Sequence, residues 1–74
     1  MNNNIKLVKE NIEKNAANIN WLLCNLLGAI EIAEVAYNQN EHKAFIEALT
    51  AITLYKDALK KHENYSRETG VKYA

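Results

Sequence analysis

The chain contains no proline and only two glycines among its 74 residues. Proline and glycine are the residues that most often end helices or form tight turns, so their scarcity favours an all-α protein over one rich in turns. Cysteine is nearly absent too, and the single Cys24 excludes an intrachain disulfide. Because Cys24 lies in an apolar segment, we expect a small buried thiol in a reducing compartment.

The chain also has no excess of charge of either sign, because nine basic residues balance nine acidic ones. A net charge near zero argues against a strong field for nucleic acid or an anionic membrane. The polar N-terminus is followed by mixed charges, so we expect no signal peptide and no membrane-spanning segment. These features predict a cytoplasmic protein with one helical domain over residues 1–74.

The strongest positive signal is one apolar stripe with the period of an α-helix. It predicts a long first helix over about residues 4–37, with Asn3 or Asn4 as its N-cap. Asparagine favours helix caps over helix interiors, so a break within the Asn-rich segment 15–20 is the alternative. The stripe consists of Ile5, Val8, Ile12, Ala16, Ile19, Leu23, Leu26, Ile30, Ala33 and Tyr37.

A polar break at residues 38–40 precedes a second amphipathic helix, over about residues 41–65. So short a break makes the two helices antiparallel neighbours and predicts an all-α helical hairpin, followed by a flexible tail over 66–74. Alanines on both sides of the break should face each other and let the two backbones approach closely. They are Ala29, Ala33 and Ala36 before it, and Ala44, Ala48 and Ala51 after it.

The segment between Trp21 and Tyr37 is apolar on more than one side of its helix, and one partner helix cannot cover it. We therefore expect a homodimer in which two hairpins form a four-helix bundle. Glycine inside a helix lowers helix stability by about 1 kcal/mol relative to alanine. Close approach of two helices across the dimer would explain why Gly28 is nevertheless found in the middle of this helix. The predicted protein interface consists of Trp21, Gly28, Ile32 and Val35.

The first helix, if continuous, is longer than the second. Its start then extends past the second helix, and an apolar strip of Ile5, Val8 and Ile12 stays uncovered. We interpret this strip as an arm that binds a partner protein or the dimer mate.

The residues that carry chemistry are sparse. His42 and His62 are the only histidines, and neither belongs to a spacing that brings several metal ligands together. The two isolated glycines do not form a phosphate-binding loop. We therefore expect no metal, no cofactor and no enzymatic activity.

What remains is a small protein-interaction module, a homodimeric inhibitor or adaptor that binds an unidentified protein. Small helical proteins rich in Asn and Lys are frequent among phage and mobile-element products, which is a compositional hint only. The alternative is a nucleic-acid-binding regulator, because antiparallel pairing would gather many basic residues at one end of the hairpin. These are Lys6, Lys9, Lys14, Lys56, Lys60, Lys61, Arg67 and Lys72.

Overall fold

A computed structural model of the chain describes residues 3–68, with side chains for residues 4–62. In that part of the chain it contains three helices and no strands, which confirms the all-α prediction. The helices are α1 (Asn3–Lys14), α2 (Ile19–Asn38) and α3 (His42–Glu68). The turn between α2 and α3 places Asn40 at φ 59°, a left-handed conformation that asparagine tolerates better than most residues.

The predicted continuous helix over 4–37 is wrong, because the chain leaves the helical path after Lys14 and resumes it at Ile19. At this point asparagine side chains form hydrogen bonds with backbone groups, in competition with the bonds of a continuous helix. The Asn15 amide donates to the Asn11 carbonyl at 2.8 Å. The Asn18 Oδ1 accepts from the Trp21 N–H at 3.0 Å and caps α2. These local bonds replace the helical ladder, which is why the alternative break at 15–20 prevails.

The break lets α1 fold back onto α3. Near the start of α1, the Asn4 side-chain amide donates to a Glu47 carboxylate oxygen at 3.5 Å. Just after its end, the His62 Nε2 donates to the Ala16 carbonyl. Because the residue numbers rise together along both helices, α1 and α3 run parallel.

α2 runs the opposite way along α3. The Tyr37 and Phe45 rings lie 5.6 Å apart beside the turn, and the Trp21 and Tyr55 rings lie 6.0 Å apart at the distant end. Between these pairs the seam is built from small residues, and Leu22 is its one large side chain with no exposure. The buried residues are Leu22, Ala29, Ala33, Ala36, Ala48, Ala51 and Tyr55.

The buried face of α2 is not the one that the apolar stripe predicts. Leu22 is buried, whereas its stripe neighbour Leu23 is 43% exposed. The small residues decide the rotation of α2, because an alanine face lets α2 and α3 approach more closely than a leucine face would. At its other end, α3 extends to Glu68, and residues 69–74 of the predicted tail lie outside the described residues.

Candidate functional site

One side of the α2–α3 pair is an exposed apolar surface, which we call the α2–α3 face. At about 100° per residue, its α2 members lie within about 80° of one another around the helix axis. The contact between Tyr37 and Phe45 joins this surface to α3, and Leu49 follows Phe45 one turn later. The face consists of Ile19, Leu23, Leu27, Ile30, Tyr37 and Leu49, which are between 37% and 68% exposed.

Four of these six residues belong to the stripe that the sequence assigns to the interior of the hairpin. They are exposed because the buried side of α2, formed by Leu22 and three alanines, lies about 100° away from them around the helix axis. A segment that is apolar on all sides does not define which side is buried. The result is a large apolar surface on the outside of one protomer, an arrangement that usually marks a contact with another molecule.

The predicted interface residues lie together on the other side of α2, which we call the Gly28 flank (Trp21, Gly28, Ile32 and Val35). Ile32 is 58% exposed and Val35 is 53% exposed. A Cβ added to Gly28 would meet no atom of the described residues within 4 Å outside the adjacent backbone of α2, so no close approach in that part of the chain explains the glycine. Trp21 differs from the other three, because it is half-buried and its ring packs edge-on against Tyr55.

The predicted arm is in contact with its own chain. Ile5, Val8 and Ile12 are half-buried, and Val8 and Ile12 pack against the core that contains Leu22 and Tyr55. The picture of an arm extending past its partner helix is therefore wrong for this protomer. The cause is the break after Lys14, which turns α1 back over α3.

A groove runs between α1 and α3. Its first section is a cleft of about 820 Å³ and its second a cleft of about 490 Å³, and Lys9 lines both. The first section is lined by Ile5, Lys6 and Lys9 from α1 and by His42, Lys43, Ile46, Glu47 and Thr50 from α3. We call the whole the α1–α3 groove. Sequence reasoning missed it, because it exists only when α1 folds back.

The lysines are distributed differently from the sequence expectation. Lys6 and Lys43 line one cleft near the start of α3, whereas Lys60 and Lys61 lie near its other end. The expected concentration of basic residues at one end of the hairpin is therefore wrong for Lys6, whereas Lys14 lies close to the expected end, where Ala16 contacts His62. The side chains of Arg67 and Lys72 lie outside the described ones.

The His, Cys, Asp and Glu side chains, which could bind a metal or take part in catalysis, do not cluster in the described part of the chain. Within residues 4–62, no group of three or more His, Cys, Asp or Glu side chains gathers in a way that could hold a metal ion. His42 and His62 are separated by about 30 Å of helix.

Cys24 is exposed, so the expectation of a buried thiol is wrong. Burial raises the pKa of the Tyr55 phenol above its ordinary value.

α2 also has the length and composition of a membrane-spanning helix, although we expected no such segment from the sequence. Among the described residues it is the one helix that qualifies, with a mean hydropathy of 1.4 and 22% of its window buried. A core helix of a soluble protein meets the same criterion. Glu31 and Glu34 lie within α2, and carboxylates at membrane depth are energetically expensive.

The chain matches no family model, no curated protein and no solved structure.

Proposed function

We propose that this chain is a non-enzymatic interaction module, which forms a homodimer through the α2–α3 face and binds another protein as an inhibitor or adaptor. Its location would be the cytoplasm, with no membrane partner. The observation that carries the proposal is the exposure of the α2–α3 face. Six large apolar residues lie on one side of a single protomer, and Leu27 and Tyr37 are 62% and 68% exposed.

A second copy is the simplest cover for this face. In a two-fold dimer the same surface serves both copies, so each protomer brings the apolar residues that the other needs. The α2 and α3 helices of both copies would then form the four-helix bundle that the sequence predicts. α1 would stay outside this contact, since it contributes no residue to the α2–α3 face.

The energetics allow a dimer of moderate affinity. Each of the six side chains is already partly covered, so its further burial contributes about 1 kcal/mol. Two copies together gain about 12 kcal/mol, against an association cost of about 4–15 kcal/mol. The gain exceeds the cost by at most about 8 kcal/mol, so we expect a dissociation constant in the micromolar range or weaker.

Sedimentation equilibrium at several concentrations tests the dimer. We expect the wild-type chain to have twice its 8.4 kDa mass at the higher concentrations. Leu27→Glu places a charge in the centre of the α2–α3 face and should raise the dissociation constant at least tenfold. Leu7→Glu is the matched control, because Leu7 is 54% exposed but lies on α1, outside this face.

The same measurement separates the two sides of α2. If Ile32→Glu dissociates the dimer and Leu27→Glu does not, the Gly28 flank is the interface, as the sequence predicts. If both variants remain dimeric, neither surface holds the two copies together. A wild-type chain that stays at the monomer mass at every concentration contradicts the homodimer.

Nucleic-acid binding is the weaker proposal. Folding back of α1 spreads the lysines along the α1–α3 groove instead of gathering them at one end, and carboxylates such as Glu47, Glu13 and Asp57 line the same groove. Phosphates would meet both signs of charge there. Binding through phosphates falls steeply with salt, which makes a labelled oligonucleotide at two salt concentrations a direct check.

A further inference from the structure

The first section of the α1–α3 groove combines apolar walls with an excess of positive charge. Three lysines, Lys6, Lys9 and Lys43, line it together with one carboxylate, Glu47. That carboxylate also accepts a hydrogen bond from the Asn4 amide. The chain as a whole carries no net charge, so this positive region is a local feature of the groove.

Apolar surface lies beside these lysines. Ile46 is 58% exposed and Ile5 is half-buried, and both line the first section. An occupant that fits the groove therefore needs an apolar stripe flanked by acidic groups. Ile46 is not among the residues of the α2–α3 face, but it lies about 60° from Leu49 around α3, so the groove borders that face.

The shape of the groove favours a helix as the occupant. The residues of α3 that line the two sections extend from His42 to Lys61, a length of about 28 Å along the helix axis. Both walls are α-helices whose backbone groups are already paired. A bound strand would find no backbone partners there, whereas a helix satisfies its own hydrogen bonds and can dock through side chains.

We propose that the α1–α3 groove binds an acidic amphipathic helix of a partner protein, with the apolar stripe of that helix on Ile5 and Ile46 and its carboxylates beside Lys6, Lys9 and Lys43. This inference rests on the proposed interaction function and names the partner segment that the dimer recognises. It also gives α1 its role, as one wall of the binding site.

The experiment uses the full-length chain and a displayed library of helical peptides with randomised surface positions. We expect enrichment of peptides in which Asp and Glu flank an apolar stripe. Binding of the best peptide should weaken about tenfold for Lys43→Glu and similarly for Ile46→Asp. Lys56→Glu is the matched control, since Lys56 is exposed on α3 but lines neither section of the groove.

Three outcomes overturn the groove proposal: peptides enriched without acidic bias, binding that Lys43→Glu leaves unchanged, or a labelled oligonucleotide that binds at the groove in place of any peptide. Sedimentation of the same samples keeps the two proposals apart. A dimer that selects no acidic peptide contradicts the groove but keeps the homodimer. A monomer that binds acidic peptides through Lys43 contradicts the homodimer but keeps the groove.

Discussion

The two seams on α3 differ in kind. The seam with α2 is built mainly from buried alanines, together with Tyr55 and the completely buried Leu22. The seam with α1 is made by half-buried side chains, and none of residues 4–14 is fully buried. Small residues let α2 and α3 approach closely and gain dispersion energy along their seam, whereas the apolar side chains of α1 remain partly exposed. We infer that α2 and α3 form the stable part of the protomer and that α1 opens more easily.

The largest effect should come from the α2–α3 seam. Leu22→Ala removes the one large side chain with no exposure among residues 4–62, and the cavity that it leaves should lower the free energy of unfolding by about 2–5 kcal/mol. A chain of this size has a total stability of about 3–5 kcal/mol, so we expect the variant to be largely unfolded. Urea denaturation followed by circular dichroism at fixed protein concentration measures it. Leu7→Ala is the control, and a similar loss there would contradict the comparison.

The second effect should be confined to α1. Val8→Asp places a charge against the core that contains Tyr55, which destabilises the α1–α3 seam by about 1–3 kcal/mol. We expect amide hydrogen exchange to accelerate in α1 while α2 and α3 stay protected. Since the groove loses a wall, peptide binding should fall as well. Leu7→Asp is the matched control, and equal acceleration in all three helices would show that the seams are not independent.

The third effect concerns the break between α1 and α2. Asn18→Ala removes the side chain that caps α2 and should destabilise the protomer by about 1 kcal/mol. It also favours one continuous helix, which would carry α1 away from α3. Nuclear Overhauser contacts between α1 and α3 report this change. Asn20→Ala, in the first turn of α2, is the control, and unchanged contacts and stability for Asn18→Ala would contradict the capping role.

The smallest effect should appear at alkaline pH. Burial raises the pKa of Tyr55, so folding favours its neutral form. This contribution is fully present below the ordinary tyrosine pKa of about 10 and is lost as the pH rises through the folded value. Tyr55→Phe should therefore flatten the decline in stability above pH 10, which urea denaturation at several pH values measures. A decline as steep as that of the wild-type chain would contradict this assignment.

Part of the fold can be predicted from particular residues of the sequence. The polar break at 38–40 and the alanines around it predict the turn and the small-residue seam, because few other arrangements satisfy both. The rotation of α2 could not be predicted in the same way. Leu22 and Leu23 are equal candidates for burial in a helix that is apolar on all sides, and only the packing against α3 separates them.

The candidate site was harder to predict than the fold. Asn15 and Asn18 signal a break, but the sequence does not tell which way α1 turns after it. The groove depends on that direction, because Lys6 and Lys43 are far apart in sequence and line the same cleft only in the folded chain. Gly28, Ile32 and Val35 were identified as outward-facing from the pattern alone, and whether they contact another molecule stays a prediction.

The central claim is that a second copy covers the α2–α3 face. Cys24 allows a direct measurement, because it is exposed and is the only cysteine in the chain. One spin label attached there gives one label per protomer, so any dipolar coupling arises between protomers. We predict one narrow distance distribution at high micromolar concentration, which disappears for Leu27→Glu and persists for Leu7→Glu. A wild-type sample without dipolar coupling at that concentration would contradict the account.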